Sequence, residues 1–450
     1  MFRSIAEVSS TANFRVAVVG SGPAGFYAAA ALLASDLEIE VDLIERLPTP
    51  WGLVRLGVAP DHPNIKAVSR AFEKTALNPG FRFFGNVEVG RDAEHDELMQ
   101  LYDAVVYSFG AQTDRALGVP GEDLPGSWPA TALVAWYNGH PDFQDLSFDL
   151  SGERAVVIGN GNVALDVARM LALTPEELAP TDTTDAAIAA INGSGVREIL
   201  VVGRRGPVQA AWTPVEVGEL GELAGADVTV DPADLELDPA SEAELAEAAP
   251  TVRRSIDHLR DYAAREPAGK PRAIRLRFFT SPVALLGDER VEAIELVRNE
   301  LVDGRALATD ERETIDCGIV FRSVGYQGVA LPGVPFDERT RTIPNERGRV
   351  EPGLYAAGWI KRGPSGVIGT NKKDATETVE LLLDDARAGL LSRTGEGSLE
   401  QLLEARGVNA VLYAGWEAID RAERGAGEPH GRPRIKLCSW EALLAAAAAK

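Results

Sequence analysis

The residues of this sequence that could bind a dinucleotide lie in two glycine-rich segments. The pattern G-x-G-x-x-G, or its variant ending in Ala, occurs at Gly20, Gly22 and Gly25 and again at Gly159, Gly161 and Ala164. The first glycine permits a tight turn, the second lets backbone approach a pyrophosphate, and the third small residue lets a helix pack closely on a strand. Free N–H groups at the start of that helix favour the phosphate charges. The sequence therefore predicts two dinucleotide sites.

The residues that end the next strand after each pattern indicate which dinucleotide is bound. After the first pattern, the segment VDLIE ends in Glu45, a carboxylate suited to accept the ribose hydroxyls of FAD or NAD. After the second pattern, EILVVGRRG places Arg204 and Arg205 at the corresponding point. Paired guanidinium groups fit a ribose 2′-phosphate and indicate NADP. The alternative is that the two arginines form a solvated basic turn.

Both glycine-rich segments have the sequence pattern of a strand, a turn and a helix, which would position the glycines. Apolar runs at 16–19 and 155–158 precede the glycines, and helical sequences follow them. We therefore expect an α/β fold with two Rossmann-like dinucleotide-binding domains. Arg204 lies farther beyond Gly159 than the usual interval of about 20 residues, so we expect an inserted helix and loop over 174–195. The Gly- and Pro-rich segment GVPGEDLPGSW reads as a linker between domains.

The later part of the chain predicts further strands and helices. IRLRFFTSPVALLG and VEAIELVRNEL alternate apolar and polar residues, which favours antiparallel strands. IVFRSVGY reads as a strand that leads back to the first domain, and a helix is expected over 372–386. The tail from 398 to 450 carries two helical patterns separated by GAGEPHGRPR. We expect this tail to serve in packing or as a lid.

Composition limits the class of protein. The 450 residues include only two cysteines, which excludes a cysteine-ligated iron-sulfur cluster, a disulfide framework and a CxxC redox pair. No apolar stretch approaches the roughly 20 residues that a membrane helix needs, so we expect a soluble, cytoplasmic protein that does not bind a membrane. The net charge of -23 argues against nucleic-acid binding. Any redox chemistry must then reside in a bound organic cofactor.

The charge distribution suggests a place where an acidic partner could dock. Residues 216–250 contain eleven acidic residues and no basic one, whereas residues 251–280 contain eight Arg or Lys and three acidic residues. Such a local basic excess on an acidic protein is a candidate docking surface. Its alternative is an exposed helix and strand with ordinary charges. The candidate docking residues are Arg253, Arg254, Arg260, Arg265 and Lys270.

Four long segments carry a resemblance to a known family. LIERLPTPWGLVRLGVAPDHPNIK, GNGNVALDVAR, VVGRRGP and YAAGWIKRGPSGVIGTNKKDA together resemble the adrenodoxin reductase type of ferredoxin-NADP reductase, and its bacterial NADPH-ferredoxin reductases in particular. The last of these segments resembles the strand and turn that return to the flavin in two-dinucleotide flavoproteins. The resemblance therefore implies a discontinuous FAD-binding domain, formed by 1–112 and 325–450, and an NADP-binding domain over 113–324.

The resemblance also implies an activity and a set of contacts. Hydride would pass from NADPH to FAD, and electrons would leave singly to an iron-sulfur ferredoxin. Beside the glycines, the implied FAD contacts are Ala24, Glu45, Leu53, Val87, Trp359, Gly366, Val367 and Ile368. The implied NADP contacts are Arg115, Asn160, Gly161, Asn162, Val163, Arg204, Arg205 and Glu216, with Gly366 where the two cofactors meet.

Two further residues are candidates for handling protons. His62 lies in a segment that the family places near the flavin, and the resemblance pairs it with an acid that would here be Asp166. The alternative for His62 is a loop histidine that hydrogen-bonds to backbone, and the alternative for Asp166 is a structural carboxylate. No metal is expected.

Other functions that use two dinucleotide sites remain as alternatives. They are an NADPH-dependent monooxygenase or diaphorase, and a module that holds FAD and NADP without turnover. The absence of a CxxC pair argues against a disulfide reductase. The two arginines argue against a non-catalytic module, which has no need to select NADP.

Overall fold

Two sheets of six strands each, parallel except at one edge of the first, form the framework of residues 14–449, the part of the chain that this computed structural model describes. Residues 1–13 and 450, which belong to the predicted first domain, lie outside the described residues.

The strands are β1 Phe14–Val19, β2 Ile39–Ile44, β3 Phe81–Phe84, β4 Ala104–Tyr107, β5 Thr113–Asp114, β6 Ser127–Pro129, β7 Arg154–Ile158, β8 Glu198–Val202, β9 Ala226–Val230, β10 Arg272–Arg277, β11 Thr280–Leu286, β12 Ala293–Val302, β13 Arg305–Asp316, β14 Ile319–Arg322, β15 Tyr326–Gln327, β16 Arg349–Glu351 and β17 Leu354–Ala356.

The helices are α1 Pro23–Leu33, α2 Leu53–Leu56, α3 Pro63–Lys66, α4 Ser69–Ala76, α5 His95–Leu101, α6 Ala130–Tyr137, α7 Asn162–Ala172, α8 Pro175–Leu178, α9 Asp185–Asn192, α10 Pro214–Leu220, α11 Pro239–Glu247, α12 Pro250–Ala264, α13 Trp359–Arg362, α14 Ile368–Arg387, α15 Leu399–Ala405, α16 Tyr413–Gly427 and α17 Trp440–Ala447. None of the helices within residues 14–449 is both long enough and apolar enough to cross a membrane.

The first sheet has the strand order β16-β17-β4-β1-β2-β3, and the second has the order β6-β14-β7-β8-β10-β9. In each sheet the strand order reverses at a central strand. β1 pairs in parallel with β2 on one side and β4 on the other. β7 pairs in parallel with β8 on one side and β14 on the other. Helices cover both central strands, so residues 16–19 and 155–158 are apolar and buried. In open parallel sheets of this kind, ligands bind at the carboxyl ends of the strands where the order reverses.

The chain crosses between the two sheets twice, and the crossing segments pair with each other. β5 and β15 form a two-stranded antiparallel sheet, in which Thr113 faces Gln327 and Asp114 faces Tyr326. These strands lie at the points where the sequence predicts the domain boundaries. β16 and β17, from the later part of the chain, complete the first sheet beside β4. The first sheet is therefore built from two separate stretches of sequence.

The prediction of antiparallel strands was correct for VEAIELVRNEL and for the later half of IRLRFFTSPVALLG, and wrong for the earlier half of that segment. β11, β12 and β13 form an antiparallel sheet, as expected. β10, however, lies in the second sheet and pairs in parallel with β8 and β9. The reason is that α12 returns the chain to the start of the sheet after β9, which makes the next strand parallel. Phe279, with φ of 52°, then separates β10 from β11.

The helices also extend the sequence predictions. The expected insertion over 174–195 contains two short helices, α8 and α9. The helix expected over 372–386 begins earlier, at Ile368, and the N–H of Val367 donates to Thr370 Oγ1 at its start. The tail has three helices where two were expected, because Gly407, with φ of 67°, ends α15 before α16 begins.

Buried ion pairs anchor the tail to both sheets. Glu423 on α16 is fully buried and accepts two hydrogen bonds from Arg55, at 2.9 and 2.5 Å. Lys436 Nζ lies 3.1 Å from Asp182 Oδ2, in the insertion of the second sheet, and Lys66 Nζ lies 2.6 Å from Asp182 Oδ1. Burial lowers the pKa of Lys436 to about 7, although Asp182 raises it. Removing one partner of such a pair typically costs about 3–5 kcal/mol.

Candidate active site

The first glycine turn, between β1 and α1, has two crowded positions and one open one. Gly20 has φ of 104°, and a Cβ there would lie 2.6 Å from the Cα of Phe109. A Cβ on Gly25 would overlap the carbonyl oxygen of Gly20, so neither residue can be replaced without moving backbone. Gly22 has φ of -72°, which any residue adopts, and a Cβ there would have nothing within 4 Å. The open space at Gly22 is room for a ligand.

The second glycine turn, between β7 and α7, repeats this arrangement. Gly159 has φ of 138°, and a Cβ there would overlap the carbonyl oxygen of Ser323. Ala164 is fully buried where α7 packs on the sheet. Gly161 has φ of -113°, and a Cβ there would have nothing within 4 Å, so its surroundings are open. Neither α1 nor α7 has a side-chain cap, and their first N–H groups are available to an anion.

The carboxylate and the two arginines occupy the predicted strand ends. Glu45 follows β2 and accepts hydrogen bonds from the Ser21 N–H, the Ser21 hydroxyl and the Leu47 N–H, at 3.0, 2.6 and 3.0 Å. It therefore lies beside the first glycine turn. Arg204 and Arg205 follow β8, exposed and half-buried, and their guanidinium groups form no hydrogen bond or ion pair with any other residue of 14–449. Both groups are free to meet an anion.

Unpartnered polar atoms test whether a dinucleotide fits these turns. Trp359 Nε1, beside the first site, and Asn160 Nδ2, in the second glycine turn, are buried and have no hydrogen-bond partner among the described residues. Buried donors are seldom left unpaired in native proteins. The open glycines, the uncapped helices and these two donors fit a bound dinucleotide at each turn.

The remaining predicted residues on the FAD side come from separate parts of the chain. Ala24 lies against the turn before Trp359, where a Cβ on Gly358 would come within 2.6 Å of the Ala24 Cβ. Leu53 begins α2 and is partly exposed, while Val87 is buried. Gly366, Val367 and Ile368 lead into the exposed start of α14.

The remaining predicted residues on the NADP side lie around the second glycine turn. Asn162 begins α7, and its Oδ1 accepts a hydrogen bond of 2.8 Å from the N–H of Thr213. Val163 is half-buried next to it. Arg115 is exposed beside Gly325, in the segment where the chain crosses between the sheets. Glu216, by contrast, lies in a buried cluster with His62.

His62 lies where the two sheets face each other, and its nearest acid is not the predicted one. The side chain is 7% exposed, and Nε2 lies 2.6 Å from Glu219 Oε2 on α10. Glu216 Oε2 is 3.7 Å from the same nitrogen. Asp166 Oδ1 is 4.0 Å from Nδ1, beyond hydrogen-bond distance. The structure thus brings His62 and Asp166 near each other but hydrogen-bonds His62 to Glu219.

Arg169 joins this cluster and was not predicted from the sequence. It is 2% exposed, and Nε and Nη2 donate to Asp61 at 2.6 and 3.2 Å. Nη2 also donates to Asp166 at 2.7 Å, and Nη1 lies 3.4 Å from Glu216 Oε2. The only sequence signal is the spacing of Asp166 and Arg169, three residues apart on one helix face. Asp61 and Glu216 come from distant parts of the chain.

Burial sets the protonation of the cluster. Burial and the charge of Asp166 raise the pKa of Glu216 to about 7, although His62 and Arg169 oppose the shift. Burial also raises the pKa of Asp166 against the pull of Arg169. For Asp61 the burial effect is outweighed by the hydrogen bond and charge of Arg169, which lower its pKa. The cluster can therefore hold a proton near neutral pH.

Three residues of this cluster are of types that can also bind a metal ion. His62, Glu216 and Glu219 have ligand atoms within 4.8 Å of one another. Arg169 Nη1, however, lies 3.4 Å from the Glu216 carboxylate and 3.8 Å from that of Glu219. A fixed cation there repels a metal ion, and the short contact of His62 with Glu219 already occupies the ligand atoms. The geometry favours a proton-sharing pair.

Comparison with known proteins identifies the family. Residues 14–369 match the family model described as pyridine nucleotide-disulphide oxidoreductase. The NADPH-ferredoxin reductase FprA of Mycobacterium tuberculosis is 52% identical over 450 residues, covering 96% of this chain and 98% of the relative. The mitochondrial NADPH:adrenodoxin oxidoreductase of Homo sapiens is 44% identical, covering 96% and 91%. The chain belongs to the NADPH-ferredoxin and adrenodoxin reductase family.

A solved structure of M. tuberculosis FprA in complex with NADPH matches with a TM-score of 0.91 and 50% identity, covering 97% of this chain and 100% of that one. The predicted two-dinucleotide flavoprotein fold of this reductase is confirmed. The family resemblance seen in the sequence is confirmed as well.

The second glycine turn predicts a substitution that harms binding and not folding. Gly161→Val places its side chain in open space, so we expect the reductase to keep its melting temperature. The same side chain would fill the place of the pyrophosphate, and we expect NADP⁺ to bind at least tenfold more weakly by isothermal titration calorimetry. Gly159→Val is the matched control and should destabilise the fold, because its side chain meets the Ser323 carbonyl. Unchanged NADP⁺ affinity in Gly161→Val would contradict the assignment.

The raised pKa of Glu216 predicts a pH-dependent stability. Because the folded protein holds this proton from the ordinary value of 4.5 up to about 7, the unfolded chain loses it first, and stability falls as pH rises through that window. The cost above the window is about 3 kcal/mol. Glu216→Gln removes the ionisable carboxyl and with it this cost. The variant should therefore have a higher melting temperature than the wild type at alkaline pH but not at acidic pH. The exposed Glu400→Gln serves as control, and a gap that does not change with pH would disprove the effect.

Proposed function

We propose that this protein is an NADPH-dependent ferredoxin reductase, which takes hydride from NADPH on a bound FAD and passes electrons singly to an iron-sulfur ferredoxin. One observation carries the proposal. Two glycine turns lie at the carboxyl ends of two central strands. One is beside the carboxylate of Glu45, and the other is beside the guanidinium groups of Arg204 and Arg205, which pair with no other described residue. That difference separates a dinucleotide without a 2′-phosphate from one that carries it.

FAD is assigned to the first sheet. The residues proposed to hold it are Gly20, Gly22, Ala24, Gly25, Glu45, Leu53, Val87, Trp359, Gly366, Val367 and Ile368. NADPH is assigned to the second sheet. The residues proposed to hold it are Arg115, Asn160, Gly161, Asn162, Val163, Arg204, Arg205, Glu216 and Gly366. The proposed domains are 1–112 with 325–450 for FAD, and 113–324 for NADP.

In this chemistry the protein positions the cofactors and supplies the electrostatic environment around them. A bound flavin supplies the ability to accept two electrons together and release them one at a time. The glycine turns and helix N-termini hold the phosphates, and the interface between the sheets excludes water. The hydrogen bond between His62 and Glu219 lets the protein hold a proton at His62 Nε2 beside the proposed meeting point of the cofactors. Asp166 enters this proposal as a neighbour of the pair.

The proposal includes a cytoplasmic location. Cys317 and Cys438 are both free thiols. Unpaired cysteines are typical of a reducing compartment.

We place the docking surface for the ferredoxin on α12 of this protein. Fewer of the cations in this region are free to meet a partner than the sequence suggests. Arg253 donates to the carbonyls of Leu245 and Ala246, where α11 ends. Lys270 Nζ donates to the Leu223 carbonyl, and Arg265 stacks over the ring of Tyr262. Arg253, Arg265 and Lys270 are therefore engaged in contacts within this protein.

Two cations of α12 remain for a partner. Arg260 lies 3.6 Å from Asp257 in an exposed pair, and Arg254 is exposed and pairs with no other residue of 14–449. The proposed docking residues are therefore chiefly Arg254 and Arg260.

Coenzyme selectivity tests the assignment of NADPH. Arg204→Ala together with Arg205→Ala removes two cations that have no structural partner, so the fold should be unaffected. Each charge-assisted hydrogen bond is worth about 1.5–3 kcal/mol, and we expect a loss of tenfold or more in kcat/KM for NADPH. The value for NADH should change little. Arg305→Ala, at the exposed arginine that begins β13, is the control. An equal loss for both coenzymes would refute the 2′-phosphate role.

Charge reversal tests the docking surface. Arg254→Glu with Arg260→Glu should raise the KM for ferredoxin several-fold and weaken the dependence of the rate on salt, because long-range attraction of exposed charges is screened by ions. Reduction of a small neutral acceptor should not change. Arg421→Glu, at an exposed arginine of α16, makes a control. If the double variant reduced ferredoxin with the same kinetics and salt dependence as the wild type, α12 would not be part of the docking surface.

A further inference from the structure

Arg169 connects the two halves of the interface. Its backbone belongs to α7, the helix that starts at the second glycine turn. Its side chain reaches Asp61, in the connection between β2 and β3 of the first sheet, through two hydrogen bonds of 2.6 and 3.2 Å. Because the guanidinium is almost completely buried, this contact is shielded from water and from salt. Movement of one sheet relative to the other would have to break it.

The same guanidinium lies beside the imidazole of His62. Arg169 Nη2 is 3.4 Å from His62 Nδ1, a contact that it shares with its hydrogen bonds to Asp61 and Asp166. A guanidinium can only donate hydrogen bonds, so in this contact Nδ1 is the acceptor and carries no hydrogen. The neutral imidazole then has its hydrogen on Nε2, which lies 2.6 Å from Glu219 Oε2. A positive charge beside Nδ1 also disfavours a proton there.

We propose that Arg169 is a positioning residue that fixes the tautomer of His62 with Nε2–H directed at Glu219, and that its contact with Asp61 holds this pair between the two cofactor sites. Without Arg169, Nδ1 has Asp166 as its neighbour at 4.0 Å. A carboxylate attracts a hydrogen to Nδ1, so the imidazole would change tautomer or take up a second proton. The hydrogen bond to Glu219 would then lose its single orientation.

Lysine cannot replace this arginine. The planar guanidinium directs its N–H groups at Asp61, Asp166 and Glu216 at the same time, whereas an ammonium is a single compact charge on a thinner stem. The other titratable groups around the imidazole are Glu219 and, beside Asp166, the phenol of Tyr137, whose pKa is raised by burial. Arg169 is the cation that these acids share.

Nitrogen NMR tests the tautomer directly. In holoenzyme labelled with ¹⁵N-histidine, the five histidines give separable ring signals, and His62→Gln assigns those of His62. We expect the wild type to show an unprotonated Nδ1 and a protonated Nε2. Arg169→Lys should populate the opposite tautomer or the doubly protonated ring. Asp61→Asn, which leaves the cation in place but weakens its anchor, should have a smaller effect in the same direction.

A wild-type signal with hydrogen on Nδ1, or an Arg169→Lys signal identical to the wild type, would overturn the inference. Arg154→Gln is the matched control, since Arg154 pairs through two nitrogens with Glu198 on the second sheet, away from His62, and should leave the signals unchanged. Arg169→Met removes the charge completely. If Arg169→Met does not fold, Asp61→Asn still tests the inference.

A kinetic measurement adds the consequence for the reaction and rests on the proposed function. In anaerobic single-turnover mixing with NADPH, Arg169→Lys should reduce the flavin about tenfold more slowly and shift the pH profile of that rate, with little change in the affinity for NADP⁺. A rate and pH profile equal to those of the wild type would contradict the positioning role. If NADPH failed to reduce the wild-type protein, the proposed function would fail, whereas the NMR result would still decide the tautomer.

Discussion

The buried guanidinium of Arg169 is the interaction on which the geometry between the two sheets depends. Removing a charge from water is expensive, and the cost is offset only when the partners are close and well oriented. Here the partners come from three separate connections: Asp61 from the first sheet, and Asp166 and Glu216 from two helices of the second. A loosened cluster would leave several buried carboxylates uncompensated. The contact therefore holds the segment of Asp61, from the first sheet, against helices α7 and α10 of the second.

The tail reinforces this constraint from the other side. The sequence predicted only packing or a lid for residues 398–450, and no signal there distinguishes an anchor from a solvated loop. In the structure, Arg432 donates to the carbonyls of Thr181 and Thr183, and Lys436 reaches the Arg55 carbonyl and Asp182. The tail therefore contacts segments of both sheets through polar groups. Like the Arg169 cluster, it favours one relative position of the two.

What the sequence could predict was local. The glycine turns, Glu45 and the Arg204–Arg205 pair follow from residue types at fixed spacing, because the turn geometry itself demands them. The partner of His62 could not be found this way, since Glu219 is 157 residues away along the chain. The parallel pairing of β10 depended on the path of α12, and the basic surface lost Arg253 and Lys270 to backbone carbonyls. Each of these depends on long-range packing, which periodicity and charge counts do not contain.

Anaerobic stopped-flow absorbance can follow the passage of electrons from NADPH through a bound flavin to a ferredoxin. The purified holoenzyme is mixed with NADPH, and oxidised ferredoxin is then added. We expect the flavin absorbance to bleach rapidly with NADPH, more slowly with NADH, and to recover when ferredoxin is added. A flavin that NADPH cannot reduce, or one that recovers only with oxygen or a disulfide substrate, would contradict this electron path.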